Sequence, residues 1–168
     1  MCGIAGTINY NTPVTDVLLQ GMLAPIPYRG PDGSGVQCLD NNKVGLAHRR
    51  LSILDTRELG KQPMNSGCGR YWITFNGEVY NYLELRKELI ASGYFFRTET
   101  DTEVILNAYA HWGQQCIERF IGMFAFAIWD CEKRELFAAR DRLGVKPFYY
   151  LSQAGQFYFA SEIKSILT

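Results

Sequence analysis

Residues 122–161 read GMFAFAIWD (122–130), CEKRELFAARD (131–141), RLGVKPFYYLS (142–152) and QAGQFYFAS (153–161). Within them MFAFAIWD, ELFAARD, FYYLS and FYFAS are short apolar runs separated by polar turn residues, which predicts four strands in succession. SEIKSIL (161–167) then predicts the start of a last helix. Strands that arrive in a block, rather than alternating one for one with helices, favour antiparallel sheet packed with helices over a parallel doubly wound fold. The expected class is α+β.

The upstream sequence fits the same plan. CGIAGTINY (2–10) reads as a buried first strand, and VTDVLLQGMLAPI (14–26) spaces its apolar residues for a helix, with Thr15 or Asp16 at its start and Pro25 near its end. YRGPDGSG (28–35) is dense in Gly and Pro and predicts a loop. VQCLD (36–40) and VGLAHRRLSI (44–53) are separated by Asn41 and Asn42, the chemistry of a hairpin turn. YWITFNGEVYN (71–81) begins as a strand and predicts a turn at Asn76-Gly77; Asn81 with Glu84 resembles a capping box for a helix over 82–92, ended by Gly93. TDTEVILNAYAHWG (100–113) places Val104, Ile105, Ala108, Tyr109 and Trp112 on one helical face, with Asp101 at the positive end and Gly113 closing it.

Length and composition narrow the function. The 168 residues suit one domain with a substantial core, 47% of them being hydrophobic, and no repeat or linker divides the chain. Seventeen basic residues balance seventeen acidic ones, so no global field favours nucleic acid or an anionic membrane. No apolar run approaches the roughly 20 residues that cross a bilayer, and no basic leader precedes a cleavable apolar segment. The five cysteines, Cys2, Cys38, Cys68, Cys116 and Cys131, are odd in number and lack a CxxC pair, which argues against a disulfide framework or a zinc site and for a reducing cytoplasm. Only His48 and His111 are present; His48, on an apolar strand, reads as packed rather than as a base, and no metal site is expected.

Cys2 is the residue with the sharpest chemistry. A free thiol has a pKa of about 8.5 and a free α-amine about 7.7 to 8.0. With Met1 removed, Cys2 carries both groups on one carbon, so its own amine can take the thiol proton and return it to a leaving group. Standing alone, the same residue reads as a small buried hydrophobe at a strand start.

The other motifs tip that balance. CGIAG (2–6), RGPDGSG (29–35), HRRLSI (48–53), NGEVYN (76–81), TDTEVI (100–105), GMFAFAIWD (122–130) and RDRLGVKPFYY (140–150), in this order, resemble the glutaminase domain of glutamine-hydrolysing asparagine synthetases, a class II glutamine amidotransferase. The resemblance runs from Cys2 to the end of the chain. It implies an N-terminal-nucleophile hydrolase fold, a four-layer αββα sandwich of two antiparallel sheets between helical layers. It also implies that residues 1–168 form a single type 2 amidotransferase domain, the N-terminal part of a longer synthetase.

For the site, the resemblance makes Cys2 the nucleophile and gives Asn76 and Gly77 the oxyanion hole. It assigns Arg50 to the carboxylate of L-glutamine, Leu51, Ser52, Ile53 and Leu54 to the pocket lining, and Glu78 and Asp101 to holding the substrate, Asp101 at its ammonium. A guanidinium suits bidentate recognition of a carboxylate. Without the motif, Arg49 and Arg50 read as solvated charges, Asn76-Gly77 as a turn and Asp101 as a helix cap. Arg29 and Asp32 read as ordering the loop; the family more commonly has His where Tyr28 stands. Arg140, Asp141 and Arg142 read as polar contacts at a strand end or domain boundary.

The implied reaction hydrolyses the glutamine side-chain amide to glutamate and ammonia. The amidotransferase domain needs no cofactor; ATP and Mg are expected only for the synthetase domain, whose SGG-x-DS loop does not occur in these residues. The synthetase domain is the expected partner, and a homo-oligomer would form through the full-length protein. Two other readings are a non-catalytic binding or regulatory module of the same fold, and an ammonia donor to an acceptor other than aspartate.

Overall fold

The structure is a computed structural model and describes all of residues 1–168 except Ile53 and Thr56. Among the described residues, nine strands form two antiparallel sheets. The first sheet takes the order β2 (Gly33–Leu39), β3 (Val44–Arg50), β1 (Gly3–Asn9), β9 (Gln156–Ala160), β8 (Tyr149–Gln153); the second takes β4 (Met64–Asn65), β5 (Tyr71–Val79), β6 (Gly122–Asp130), β7 (Glu135–Arg140). Helix α1 (Asp16–Leu23) covers the first sheet, and α2 (Tyr82–Ala91) and α3 (Asp101–Trp112) cover the second. The result is the expected αββα sandwich.

Strand β6 explains why its sequence is almost wholly apolar. Its alternate residues split cleanly: Phe124, Phe126 and Ile128 pack into the core beneath α2 and α3, while Ala125, Ala127 and Trp129 meet Ile4, Val44, Leu46 and Phe159 of the first sheet. A strand covered on both faces loses the polar alternation of a half-exposed one. On the far side of the first sheet, Leu19, Met22 and Leu23 of α1 bury against Ala5, Ala47 and Ala160.

The helix ends follow local chemistry. Thr15 caps α1 by accepting from the Leu18 N–H, and Thr100 caps α3 by accepting from the Glu103 N–H at 3.2 Å. Gly93, at φ +91°, turns the chain after α2 so that the Tyr94 N–H reaches the Leu89 carbonyl at 3.0 Å. Asp40, Asn41 and Asn42, all at positive φ, make the β2–β3 connection.

Four expectations are corrected. Asn76-Gly77 is no turn: both residues lie inside β5, paired with Ala125 and Phe124 of β6. Asn81 does not close a capping box; its side chain donates to the Arg119 carbonyl and accepts from the Ile121 N–H, tying α2 to the approach to β6. The Gly-rich loop ends sooner than read, because β2 already starts at Gly33. The last helix is only a 3-10 turn over Ile163–Ser165.

Candidate active site

Antiparallel pairing of Gly3 with Arg49 puts the start of β1 beside the end of β3. Side chains alternate along β5, so Asn76 and Glu78 share the face of Thr74, whose hydroxyl donates to the Ala47 carbonyl of the first sheet. Cys2, Arg50, Asn76 and Glu78 therefore meet at one end of the sandwich. A cavity of about 200 Å³ opens there, lined also by Leu51, Leu54, Gln62, Gly77, Asp101 and Lys146. Just below it, His48 bonds the Phe75 carbonyl at 3.0 Å through Nε2. Burial pushes its pKa down to about 4, so it is a neutral cross-link, packed as expected.

The Cys2 sulfur accepts from the Leu51 N–H at 3.3 Å. Burial pushes the thiol above its ordinary value and Glu78 adds to the rise; the Leu51 N–H, the terminal ammonium and Arg50 pull the other way. Arg29 reaches the Cys2 carbonyl at 3.4 Å and is paired with Glu162, which also accepts from the Tyr28 hydroxyl. Asp32 accepts from the Ser52 N–H at 2.7 Å, so both residues brace the loops around the cavity.

The edge of β5 supplies donors. Strand β4 pairs only with Trp72 and Ile73, so further along β5 the N–H groups on that edge need other partners. The Phe75 N–H donates to Gln62 Oε1 at 2.7 Å and the Val79 N–H to Asp101 Oδ2 at 3.0 Å. Successive strand N–H groups alternate sides, so the Gly77 N–H projects between these two, into the cavity. Beside it the Asn76 side-chain Nδ2 is buried with no hydrogen-bond partner among the described residues. An unpaired buried donor costs about 1–3 kcal/mol. Gly77 must lack a side chain: a Cβ there would lie 2.3 Å from the Met123 carbonyl oxygen and 2.6 Å from the Phe124 Cα.

Charges of both signs face the same space. Arg50 donates through Nη1 to the Arg57 carbonyl at 3.2 Å and through Nη2 to the Asp55 carbonyl, which fixes the guanidinium while leaving other N–H groups free. Asp101 is 4% exposed and its carboxyl is pushed up to about 7 by burial, with nearby Glu78 adding and the Val79 N–H opposing. Burial also raises Glu78, and Lys146 works against that rise.

Cys2, Arg50, Leu51, Leu54, Asn76, Gly77, Glu78 and Asp101 thus share one cavity. Ser52 does not; it lines a neighbouring space of about 90 Å³ behind Arg50, with Asp32 and Lys61. Ile53 lies outside the described residues. Gln62, Thr102 and Lys146 line the cavity without having been singled out. Gln62 follows no local signal, whereas Lys146 sits within the quoted RDRLGVKPFYY.

A family described as glutamine amidotransferase domain matches residues 1–168. The chain belongs to that family. Asparagine synthetase [glutamine-hydrolyzing] 1 of Bacillus subtilis (strain 168) is 45% identical over 171 residues, which cover 99% of this chain and 27% of the relative. Asparagine synthetase [glutamine-hydrolyzing] 3 of the same organism is 43% identical, with the same coverage of each. The chain therefore spans about a quarter of the length of these curated relatives. The solved glutamine phosphoribosylpyrophosphate amidotransferase from B. subtilis superposes with a TM-score of 0.83 at 20% identity, over 98% of this chain and 43% of that one. That likeness shows the N-terminal-nucleophile hydrolase fold. Among the described residues no helix is long and apolar enough to cross a membrane, and no group of three or more His, Cys, Asp or Glu is arranged to hold a metal ion.

Proposed function

We propose that this amidotransferase domain hydrolyses the side-chain amide of L-glutamine with Cys2 as nucleophile, after Met1 is removed. The observation that carries the reading is the pairing, in one cavity, of the Cys2 sulfur with an unpartnered buried amide donor, Asn76 Nδ2. With the thiol raised by burial, attack needs a base. The freed α-amine supplies it, taking the thiol proton as sulfur adds to the amide carbon. The resulting oxyanion accepts from Asn76 Nδ2 and the Gly77 N–H. The protonated amine passes its proton to the leaving nitrogen, ammonia departs, and water hydrolyses the glutamyl thioester to glutamate. Arg50 takes the α-carboxylate, Asp101 and Glu78 the ammonium, and Leu51 and Leu54 flank the substrate. Compounds lacking either charge leave a buried partner unsatisfied and are rejected.

The likeness to asparagine synthetases supports a finer reading. The domain is the N-terminal part of a longer cytoplasmic synthetase, and its ammonia serves asparagine formation in a further domain that uses ATP and Mg. The test is an intact mass with a glutaminase assay. A chain lighter by one methionine residue should release glutamate from glutamine, and Cys2→Ala should abolish that release. Unchanged activity in Cys2→Ala refutes the nucleophile; a processed, folded chain that releases no glutamate favours a binding or regulatory module.

A further inference from the structure

Lys146 is 6% exposed and lines the cavity, yet it belongs to none of the ion pairs formed among the described residues. With its stem covered and no ion-pair partner among the described residues, its charge is left to act on the groups that line the cavity. The chain goes to some length to put it there. Buried Asp141 accepts from the N–H groups of Phe124, Val145 and Lys146 at 3.2, 2.8 and 3.0 Å. Arg140 donates to the Gly144 carbonyl and, at 2.6 Å, to the Lys146 carbonyl. Between them the two side chains close residues 141–146 into a clamp fixed to β6. The RDRLGVKP motif thus positions one side chain, Lys146, in a cavity whose other ionisable groups are the chain's α-amine and the side chains of Cys2, Arg50, Glu78 and Asp101.

Glu78 is the group this charge addresses. Two carboxylates, Glu78 and Asp101, share the cavity, and ionisation of either discourages the other. Arg50 is held on the carbonyls of residues 55 and 57. Lys146 is the cation that opposes the rise in Glu78. Resting on the glutamine reading above, we propose that Lys146 is a positioning residue that holds Glu78 as a carboxylate across the cavity, so that Glu78 and Asp101 together receive the substrate ammonium.

The test separates binding from chemistry by using Cys2→Ala, which can hold glutamine without turning it over. Glutamine affinity is measured by calorimetry from roughly pH 5.5 to 9 in that parent and in its Lys146→Met, Lys146→Gln and Lys146→Arg derivatives, with thermal melts beside each. In the parent, affinity falls as the carboxylates take up protons. Both neutral variants should move that acid limb to higher pH, weakening binding on the order of tenfold on the limb while approaching the parent at alkaline pH; Lys146→Arg should restore the limb. Any fall in melting temperature in Lys146→Met should grow with pH, since the cation lost opposes the rise in Glu78 only when that carboxylate is ionised. An unmoved limb, or a loss equal at every pH with a lower melting temperature, overturns the proposal. A folded Cys2→Ala parent that binds no glutamine at any pH overturns the glutamine reading itself, a separate outcome.

Discussion

The two halves of β5 share one partner strand and serve opposite ends. Along Tyr71–Phe75, Ile73 and Phe75 fill the core under α2 and α3, Thr74 bonds across to the first sheet, and β4 covers part of the outer edge. Gln62 takes the Phe75 N–H where the halves meet; along Asn76–Val79 that edge has no strand, Asp101 takes the Val79 N–H, the Gly77 N–H faces the cavity, and Asn76 Nδ2 is unpaired among the described residues. Pairing with β6 runs unbroken to Val79, so the second half stays ordered while its other edge remains available. A strand can thus be rigid on one edge and chemically open on the other.

Substitutions should separate the halves by what they damage. The largest effect is expected where both functions meet: Gly77→Ala drives a methyl against Met123 and Phe124, so the chain should melt far earlier and lose glutaminase activity together. Phe126→Ala, at the centre of the helix-side core opposite Phe75, should lower unfolding free energy by about 3–5 kcal/mol in a denaturant titration, while the fraction still folded keeps its turnover. Asn76→Ala should do the reverse. It removes the proposed transition-state donor, for which a loss of about 2.7–4 kcal/mol, or 10²–10³ in kcat, is expected, and its melting temperature should match or exceed the parent's. A lowered melting temperature with kcat intact would place Asn76 with the structural half.

How much of this was legible follows from which residues carry their own context. The α+β class, the Cys2 strand, the β2–β3 hairpin and α3 could be read because alternation, helical spacing and turn residues are local signals. Asn76-Gly77 misled as a turn because the dipeptide reports backbone preference, whereas its place in mid-strand depends on Phe124 and Ala125, nearly fifty residues away. Asn81 misled for the same reason, its partners being Arg119 and Ile121. The resemblance assigned the residues it covers to a site, and the fold brings most of them to one cavity. Gln62 and Lys146 escaped because each reaches the cavity through contacts no pattern announces: Gln62 by bonding the Phe75 N–H, Lys146 by the Asp141 clamp.

Asp101 sharpens the comparison most finely, because it does one job for each half: its Oδ2 satisfies the Val79 N–H, and its carboxyl faces the cavity. In the folded chain burial pushes its pKa up to about 7, whereas in the unfolded chain it ionises near about 3.9. Between those values the folded protein keeps a proton that the unfolded chain has released. Its contribution to stability therefore falls as pH rises through that window and stays low above it. Asp101→Asn keeps an oxygen for the Val79 N–H but cannot ionise. Its melting temperature should exceed the parent's at pH 8 and not at pH 4; a gain on the order of 1 kcal/mol would register as roughly 2–4 °C. Glutamine affinity should respond in the opposite sense, rising in the parent as pH passes through about 7 and staying weak and flat in the variant. An Asp101→Asn chain that melts earlier at pH 8 and binds glutamine normally would make this carboxylate a strand cap alone.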